Sequence, residues 1–552
     1  LFSNPPKLNI IALQDSQPER LEAFSQDLAS TGIAQTDLKE LLDLFEHSST
    51  FGSLIQIPAA FAKKLSDLET KLNTAAASGD IFSQQSAQEL LTLVQQAKLL
   101  AKQYDAVIAN PPYMGNKYLN PNLKNYLKKN YQGYEKDLFS AFMIRDLQLT
   151  KESGQLGFMS PFVWMFISSY ENLRAHFIDH ATITSLIQLE YSGFDGATVP
   201  ICTFTLAKAH ITGFTGSYIR LSDFRGSENQ APKTLEAINN PDCGWFFNAK
   251  PDEFKKIPGS PVAYWVSQNV IHTFETLPKV ADSCIVKTGM QTGDNLRFLR
   301  YWYEICSYEI NSPQEKYPLT PKKWFLYSKG GEFRKWFGNV EHVVYWNNHG
   351  EDIKNCYVNG SLRSRVREIS NYFTRAASWS FISSSHFGCR YKEPGVFFDV
   401  AGSCALEAAN KIEGILSFFC SKVATIFLNT LNSTLNYQIQ DISNLPFLSN
   451  SLSENISKLA IAIAKNDWDS YETSWNFTQN PIIRTGQPNL EQAFNTWQQQ
   501  NADAVAEMKR LEEENNKLFI DAYGLQDELT PDVQDEQITL TRADREKDSQ
   551  RL

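Results

Sequence analysis

A short apolar run that ends in a polar turn dominates the hydrophobic pattern in the first half of the chain. Residues Ala106 to Ala109 are apolar and rich in strand formers, and a run this short predicts a buried strand rather than a helix. The sequence continues Asn110-Pro111-Pro112-Tyr113. The prolines end the strand because neither can donate a ladder hydrogen bond. Ligands of open α/β sheets bind just beyond the carboxyl ends of strands, and Asn110 is expected at that place.

Two further patterns precede this strand. Leu8 to Asp15 predicts another strand, which ends in an acidic residue. Residues 18 to 103 have helical spacing, for example at Leu65, Leu68 and Leu72. We interpret this region as a helical insertion between two strands of the sheet.

The pattern becomes helical again towards the end of the chain. Gly414 to Leu428 predicts one buried helix. Beyond residue 450, the spacing of Met508, Leu511 and Asn515 predicts a helix that packs back on the chain rather than a dimer zipper. From Asp532 onward the chain is polar and charged, and we expect it to be disordered.

The composition is that of a soluble globular protein with two to four domains. The 552 residues are 42% hydrophobic and 21% charged. No apolar run reaches the ~18 residues of a membrane span. The start has neither a signal peptide nor a methionine, so we expect the chain to begin inside a longer, cytoplasmic protein.

Nothing in the sequence predicts a metal site. The eight cysteines include no Cys-x-x-Cys pair, and we expect free thiols. His176 and His180 stand four residues apart on a predicted helix. We interpret them as part of a solvated face, because no third ligand is evident nearby.

The net charge of −10 is unevenly spread. Residues 287 to 399 contain 16 Lys and Arg against 11 Asp and Glu, a balance of +5. Residues 501 to 552 contain 7 against 14, a balance of −7. A basic middle and an acidic end are compatible with local contact to phosphates, although chance clustering explains a balance of +5 as well.

The turn at residues 110 to 113 has a chemical interpretation. Asn110 offers a side-chain carbonyl and Pro111 a backbone carbonyl, and two such acceptors can bind both hydrogens of one amino group. The exocyclic amine of adenine is a poor nucleophile because its lone pair is delocalised into the ring. Acceptors that pull its hydrogens out of the ring plane return the lone pair to nitrogen, and Tyr113 offers a face for stacking. Because the motif is short, methyl transfer and an ordinary Pro-Pro turn both stay open on these residues alone.

Between the polar turn and the next predicted helix, residues 116 to 134 carry several lysines and tyrosines. This composition predicts either a mobile lid or an ordinary exposed loop.

Matches further along the chain resemble a known family. Three segments follow in the order found in amino-group methyltransferases that use S-adenosylmethionine: Asp137-Leu138-Phe139, Gly154 to Pro161 and Phe194 to Pro200. Other runs resemble one branch more closely: Ser160 to Phe166, Leu189 to Phe194, Tyr218 to Gly226 and Ile257 to Pro261. That branch is the PglX-like adenine-specific DNA methyltransferases of BREX phage-defence systems. The resemblance extends to about residue 450.

The resemblance implies an α/β, Rossmann-like fold of S-adenosylmethionine-dependent methyltransferases, with its N-terminal part missing from this chain. The implied first domain is a catalytic portion over 1–208, which contains the helical insertion 18–103, and a connecting region over 209–285 follows it. A mixed α/β target-recognition domain is implied over 286–450 and closes with a strand near 436–446. The last region, over 451–552, is helical and ends in a disordered acidic tail. No Gly-rich cofactor turn and no ribose-binding acid are visible before Asn110. We therefore expect both upstream of residue 1.

The resemblance also implies roles for individual residues. The catalytic residues would be Asn110, Pro111, Pro112 and Tyr113. Tyr113 and Phe194 would stack on the two faces of an extruded adenine. S-adenosyl-L-methionine would contact Asp15, Asn110 and Pro112, although Asp15 could instead cap the helix that begins near residue 18.

Cations and amides in the recognition half are candidate DNA-binding residues: Lys322, Lys323, Asn347, Asn348, Arg363, Arg365 and Arg390. Arg can read guanine and Asn can read adenine. Arg363, Arg365, Asn347 and Asn348 are therefore candidate base readers, while phosphate contact or plain surface is the commoner role for any one residue.

The predicted function is site-specific DNA adenine N6-methylation that marks host DNA in a BREX-type phage-defence system. The expected partners are double-stranded DNA, other proteins of the defence system and phage-encoded inhibitors, and no membrane. Two alternatives stay open: a DNA-recognition or scaffold module without catalysis in this chain, and a methyltransferase that acts on protein or RNA.

Overall fold

The computed structural model describes residues 8–191, 193, 199–311, 322–382, 386–408, 410–434 and 436–542. The chain divides into two compact units, unit 1 (Leu1–Lys255) and unit 2 (Lys256–Leu552).

Unit 1 is built around a six-stranded mixed sheet. Its strands are β1 (Tyr104–Ala109), β2 (Thr150–Pro161), β3 (Thr182–Gln188), β4 (Ile201–Ala207), β5 (Gly216–Arg220) and β6 (Phe246–Ala249), in the order β1-β2-β4-β3-β5-β6. β1 runs parallel to β2, and β3 parallel to β5, while the other pairs are antiparallel. Because β5 and β6 continue the sheet, the unit ends at Lys255, beyond the expected boundary at residue 208.

The predicted strand before the polar turn is present, but within the described residues it is exposed rather than buried as expected. β1 lies at the edge of the sheet, and among the described strands it pairs only with β2. Its side chains are therefore uncovered, and Ile108 is 86% exposed. Hydrophobic content alone could not distinguish a central strand from this edge strand.

The helices of unit 1 are α1 (Leu21–Asp27), α2 (Gln35–Phe45), α3 (Ser48–Phe51), α4 (Ala59–Ala62), α5 (Leu65–Ala76), α6 (Ile81–Ala101), α7 (Pro121–Asn130), α8 (Leu138–Leu149), α9 (Glu171–His180) and α10 (Ser227–Asn239). The predicted helical pattern over residues 18–103 is present, and the apolar faces of these helices form one core that includes Leu65, Leu68 and Leu72. The segment after the polar turn is mostly α7, and the Tyr131 hydroxyl that follows it donates to the Leu54 carbonyl at 2.6 Å. This segment is therefore neither a free lid nor a plain loop.

The strand predicted over Leu8 to Asp15 does not form. These residues are irregular, and Leu8 and Ile10 are exposed. The Gln96 side chain of α6 satisfies the backbone of Gln14: it accepts from the Gln14 N–H at 2.7 Å and donates to its carbonyl at 3.2 Å. A side-chain amide thus takes the place of a neighbouring strand.

Unit 2 contains two small sheets and a separate hairpin. Its strands are β7 (Ile285–Lys287), β8 (Leu299–Tyr301), β9 (Ile310–Asn311), β10 (Trp324–Ser328), β11 (His342–Tyr345), β12 (Tyr357–Val358), β13 (Ser361–Leu362), β14 (Ala376–Trp379), β15 (Cys389–Lys392), β16 (Phe397–Phe398) and β17 (Cys404–Leu406). One sheet has the order β16-β10-β11-β8, with β9 also paired to β10, and the other has the order β15-β14-β17-β7. β12 and β13 pair only with each other among the described strands.

The helices of unit 2 are α11 (Gln268–Thr276), α12 (Asn295–Phe298), α13 (Glu351–Lys354), α14 (Ile412–Phe419), α15 (Lys422–Leu431), α16 (Ile439–Ser443), α17 (Ser451–Trp468), α18 (Pro481–Arg484) and α19 (Leu490–Tyr523). The single buried helix predicted over Gly414 to Leu428 is two helices, because the Ser421 hydroxyl accepts from the Ala424 N–H and starts α15. The predicted strand near 436–446 is instead α16, where Gln438 and Asp441 form a capping box.

No single described helix is long and apolar enough to cross a membrane. Only when taken together are α14 and α15 long and apolar enough, and they are separated by a bend of 73°. Most of their apolar side chains are buried.

The C-terminal helix packs back on its own unit, as predicted. Met508, Phe519 and Tyr523 of α19 are buried in a core shared with α14, α15 and α17. The expectation of disorder from Asp532 onward is wrong for the part that the structure describes, because Val533 and Ile538 are buried in the same core.

Candidate active site

The polar turn after β1 is organised by a hydrogen bond between two of its own residues. The Tyr113 hydroxyl donates to the side-chain carbonyl of Asn110 at 3.0 Å. Partial burial raises the pKa of Tyr113 above its ordinary value, so the phenol stays protonated and keeps its donor. Because a carbonyl oxygen has two lone pairs, Asn110 can accept a second hydrogen bond.

A second set of contacts fixes the turn to the start of α8. The Asp137 carboxylate accepts from the Met114 N–H at 3.1 Å and from the Phe139 N–H at 3.3 Å. The Leu138 N–H in turn donates to the Met114 carbonyl at 3.1 Å. Burial raises the pKa of Asp137. One carboxylate thus caps a helix and fastens the residue that follows the Asn-Pro-Pro-Tyr motif.

The turn leaves its polar and aromatic groups accessible. Pro111 is buried, while Asn110 and Pro112 are exposed, and Tyr113 is 39% exposed. A planar group can therefore reach the Asn110 amide and the Tyr113 ring. Phe194, the predicted second stacking residue, lies outside the described residues.

Asp15 has a structural role that the sequence did not predict. Its carboxylate accepts from the Ser49 N–H and the Ser49 hydroxyl, both at 2.7 Å, and from the Ser48 hydroxyl at 3.0 Å. The Ser49 backbone bond is the main cause of a lowered Asp15 pKa. Asp15 therefore caps α3 rather than the helix near residue 18, and its contact with cofactor stays a prediction.

The described residues fit S-adenosyl-L-methionine in part. Asn110 and Pro112 stand exposed at the end of β1, where the methyl donor of an α/β methyltransferase would meet its substrate. The carboxylate of Asp15 already accepts three hydrogen bonds, which leaves it limited capacity for another donor. The fit rests on the turn.

The predicted DNA-binding residues lie on three segments of unit 2. Lys322 and Lys323 precede β10, and the Lys323 ammonium lies 3.6 Å from Glu309. Asn347 and Asn348 precede α13, with Asn348 exposed. Arg363 and Arg365 follow β13, and both are exposed.

Arg390 corrects one of these predictions. Its side chain is 2% exposed, and it donates to the Ser380 hydroxyl at 3.2 Å. Arg390 lies in β15, where the neighbouring residues Cys389 and Lys392 are also buried. Its guanidinium lies in the interior of unit 2 and is not available to contact DNA in this structure.

Two structural roles of Tyr113 and Asp137 were not predicted from the sequence. Tyr113 was predicted only as a stacking face, whereas its hydroxyl also donates to Asn110 and orients it. Asp137 was singled out by the resemblance alone, and its hydrogen bond from the Met114 N–H was not predicted. An acid directly before the apolar start of a helix is a capping signal, so the capping role of Asp137 was readable from the sequence.

In the described part of the chain, no group of three or more His, Cys, Asp or Glu side chains could hold a metal ion. The rings of His176 and His180 lie close together, with centroids 4.6 Å apart and planes tilted by 56°.

Comparison with known proteins confirms the resemblance. The family described as Eco57I restriction-modification methylase matches residues 19–194. The adenine-specific methyltransferase PglX of Lacticaseibacillus casei (strain Zhang) is 33% identical over 550 residues, which are 96% of this chain and 45% of PglX. The adenine-specific methyltransferase BrxX of Escherichia coli O9:H4 (strain HS) is 34% identical over 505 residues, which are 86% of this chain and 40% of BrxX. The chain thus spans less than half the length of these two relatives.

The fold has a counterpart among solved structures. The Type IIL restriction-modification enzyme MmeI in complex with DNA matches 94% of this chain and 76% of its own, with a TM-score of 0.50 and 13% identity. At that identity the match concerns the fold alone. With the family match, it supports a mixed α/β, S-adenosylmethionine-dependent methyltransferase-like fold.

Proposed function

Since the chain is similar to PglX-like adenine-specific methyltransferases over 96% of its residues, we propose that it is part of a site-specific DNA adenine N6-methyltransferase. The observation that carries the proposal is the turn after β1. The Asn110 carbonyl is exposed there and is oriented by the Tyr113 hydroxyl at 3.0 Å.

The turn would act by orienting the target amine. The second lone pair of the Asn110 carbonyl and the backbone carbonyl of Pro111 would each accept one N–H of the adenine amino group. Both hydrogens are then held out of the ring plane, and the nitrogen lone pair is no longer delocalised into the ring. When bound, S-adenosylmethionine supplies the electrophilic methyl group. The proposed contribution of this chain is therefore positioning, which accounts for large rate effects in enzymes.

Adenine must leave the duplex before its amine can reach the turn. Extrusion costs a few kcal/mol, and stacking on an aromatic face returns roughly 1–3 kcal/mol per base. We assign one stacking face to Tyr113 and the other to Phe194. Cofactor contacts are assigned to Asn110, Pro112 and Asp15.

Residues 286–450 are proposed as the target-recognition domain, with Lys322, Lys323, Asn347, Asn348, Arg363 and Arg365 as its candidate DNA contacts. Two of these, Arg363 and Arg365, are exposed cations two positions apart. The proposed role of the whole protein is the marking of host DNA in a BREX-type defence system. Other proteins of that system and phage-encoded inhibitors are its proposed partners.

The proposal is tested with the complete natural gene product that carries this sequence. Host and phage DNA are incubated with methyl-labelled S-adenosylmethionine, and labelled nucleosides are separated after digestion. We expect labelled N6-methyladenine in one sequence context. Asn110→Ala should lower the rate at least ~100-fold, as when other preorganised polar groups are removed, while DNA binding is kept.

Other outcomes would support the alternatives. Cofactor binding with transfer only to protein or RNA would move the substrate class away from DNA. Binding of DNA without any methyl transfer would favour a recognition module. Full activity of Asn110→Ala would contradict the proposed role of the turn.

A further inference from the structure

A small hairpin in unit 2 projects apolar side chains into solvent. β12 (Tyr357–Val358) pairs with β13 (Ser361–Leu362), with Tyr357 opposite Leu362. Asn359 and Gly360 form the turn with φ values of 52° and 74°. Two positive φ values are those of a type I′ turn, which matches the twist of a two-residue hairpin.

The exposed residues of this hairpin are unusual for a surface turn. Tyr357 is 61% exposed and Leu362 51% exposed, and Val358 is exposed as well. An isolated two-stranded hairpin is only marginally stable in water. Tyr357 and Leu362 stand opposite each other on the two strands, so their exposed side chains form one cross-strand apolar pair.

The base of the hairpin is firmly held. Cys356 is buried in a hydrophobic cluster with Trp346 and Ile353, and its carbonyl accepts from the Arg363 N–H at 2.9 Å. The backbones of Gln291 and Arg365 exchange two hydrogen bonds, at 3.0 and 2.8 Å. The hairpin therefore stands on a fixed base with a free tip.

The hairpin and its two flanks carry cations, with Glu351 and Asp352 before them and Glu368 after them in the sequence. From residue 354 to residue 367 the chain contains Lys354, Arg363, Arg365 and Arg367 and no Asp or Glu. Arg367 donates to the Thr288 hydroxyl at 2.7 Å, whereas the side chains of Arg363 and Arg365 are exposed. An apolar tip with cations at its base is suited to a polyanion.

A strained turn precedes the hairpin along the chain. Asn348, His349 and Gly350 have φ values of 47°, 58° and 76°. Glycine and asparagine tolerate the left-handed region, so the cost of roughly 1–2 kcal/mol lies mainly at His349, and such strain is concentrated at functional sites. Asn348 and His349 are exposed, so packing of their side chains does not account for the strain.

We propose that the hairpin of residues 356–365 enters the major groove of duplex DNA, with Tyr357 and Leu362 against base edges and Arg363 and Arg365 on phosphates. This inference rests on the proposed function and names the element that reads the target. The major groove is about 12 Å wide and admits a two-stranded ribbon. Apolar side chains in it contact thymine methyl groups, while the phosphate contacts set the register.

The experiment measures binding of the protein to a randomised pool of short duplexes, sequenced before and after selection. Arg363→Ala/Arg365→Ala should weaken binding to all sequences and lower the slope of log K against log salt by about 1.8, since each phosphate contact contributes about 0.9. Tyr357→Ala/Leu362→Ala should leave the slope unchanged. The Tyr357→Ala/Leu362→Ala variant should instead lower the enrichment of the preferred bases about tenfold at one group of adjacent base pairs.

Matched controls lie on α17 of the same unit. Leu452 and Leu459 are exposed apolar residues comparable to Tyr357 and Leu362, and Lys458 is an exposed cation. Leu452→Ala/Leu459→Ala and Lys458→Ala should behave as the wild type. Hairpin variants that bind like these controls, in a protein that binds DNA, would overturn the hairpin assignment alone. A wild-type protein that binds no duplex would overturn both the assignment and the proposed function.

Discussion

The polar turn after β1 and the hairpin of unit 2 are both exposed, but they are held in different ways. The turn is tied at its ends and within itself, through the Tyr113–Asn110 bond and the Asp137 bond to Met114. Among the described residues, backbone bonds hold the hairpin only at its base, through the Cys356–Arg363 and Gln291–Arg365 pairs. Beyond the base, only its two short strands pair.

The difference matches the two proposed roles, which are orientation of the target amine and binding of DNA. An acceptor that orients an amine must keep its position within a fraction of an ångström, which requires support on several sides. An element that enters a groove needs a firm base, while its tip can adjust to the DNA. The comparison predicts that changes around the turn act on rate, and that changes in the hairpin act on binding.

The largest effect is expected from the helix that supports the turn. Asp146 on α8 is buried, and its Oδ2 has no hydrogen-bond partner in the described structure. Burial raises its pKa from 3.8 to about 7, against the opposing effect of Arg145. The folded state therefore binds more protons than the unfolded state between pH 4 and 7. Stability is full below pH 4 and falls as the pH rises through 7, by at most about 4 kcal/mol.

Thermal unfolding from pH 4 to 8 checks this expectation. Asp146→Asn should flatten the decrease in stability, because the amide does not titrate. Glu152→Gln, a change of an exposed carboxylate in the same unit, should leave the decrease intact. An unchanged decrease in Asp146→Asn would assign the pH dependence to another group.

The tie between the turn and α8 is tested by two changes of helix caps. Asp137→Ala removes the acceptor of both Met114 and Phe139. Asp80→Ala removes the cap of α6, which accepts from Phe82 and Ser83. Both should cost about 1 kcal/mol of stability. Only Asp137→Ala should also lower kcat, by about 10- to 100-fold, since small misplacements of reacting groups have effects of that size.

The measurement is methyl transfer at saturating DNA together with the thermal midpoint of each variant. If the two variants lose activity equally, general destabilisation explains the loss and the tie has no special role.

What the sequence could predict follows from the range of the interactions. The turn at residues 110–113 is a local motif, and its position after a strand was predictable from six neighbouring residues. The exposure of β1 was not, because it depends on which strands pair with it. The irregular path of residues 8–15 depends on the Gln96 side chain, about eighty residues away in sequence.

The local sequence also could not distinguish exposed from buried cations in unit 2. Arg365 and Arg390 both stand among cations and aromatics in the sequence, yet one is exposed and the other is buried. Arg390 lies in a strand that pairs with the nearby β14, but the same sheet also includes β7, which lies far earlier in the sequence. The break between α14 and α15 was in principle readable, because Ser421 is a strong capping residue.

A smaller effect is expected from the Tyr113 hydroxyl of the polar turn. Tyr113→Phe keeps the aromatic face and removes the donor to Asn110. We expect kcat to fall about 5- to 10-fold, because one hydrogen bond contributes about 1 kcal/mol, with the KM for DNA unchanged. Tyr113→Ala should raise that KM as well. A Tyr113→Phe enzyme with normal kcat would show that Asn110 needs no orientation by the hydroxyl.

The smallest effect is expected at the tip of the hairpin. Gly360 has a φ of 74° and no atom within 4 Å of an added Cβ, so Gly360→Ala meets no clash and only the cost of a left-handed alanine, about 1 kcal/mol. Gly486, with a φ of 68° and equal free space, gives a matched control in the same unit. Both variants should fold, and only Gly360→Ala should weaken DNA binding, by about 2- to 5-fold, because the strained tip presents Tyr357 and Leu362 less often in the paired geometry. Equal binding by the two variants, measured by fluorescence anisotropy, would mean that the free tip tolerates the change, and that the anchored base alone determines how this unit contacts DNA.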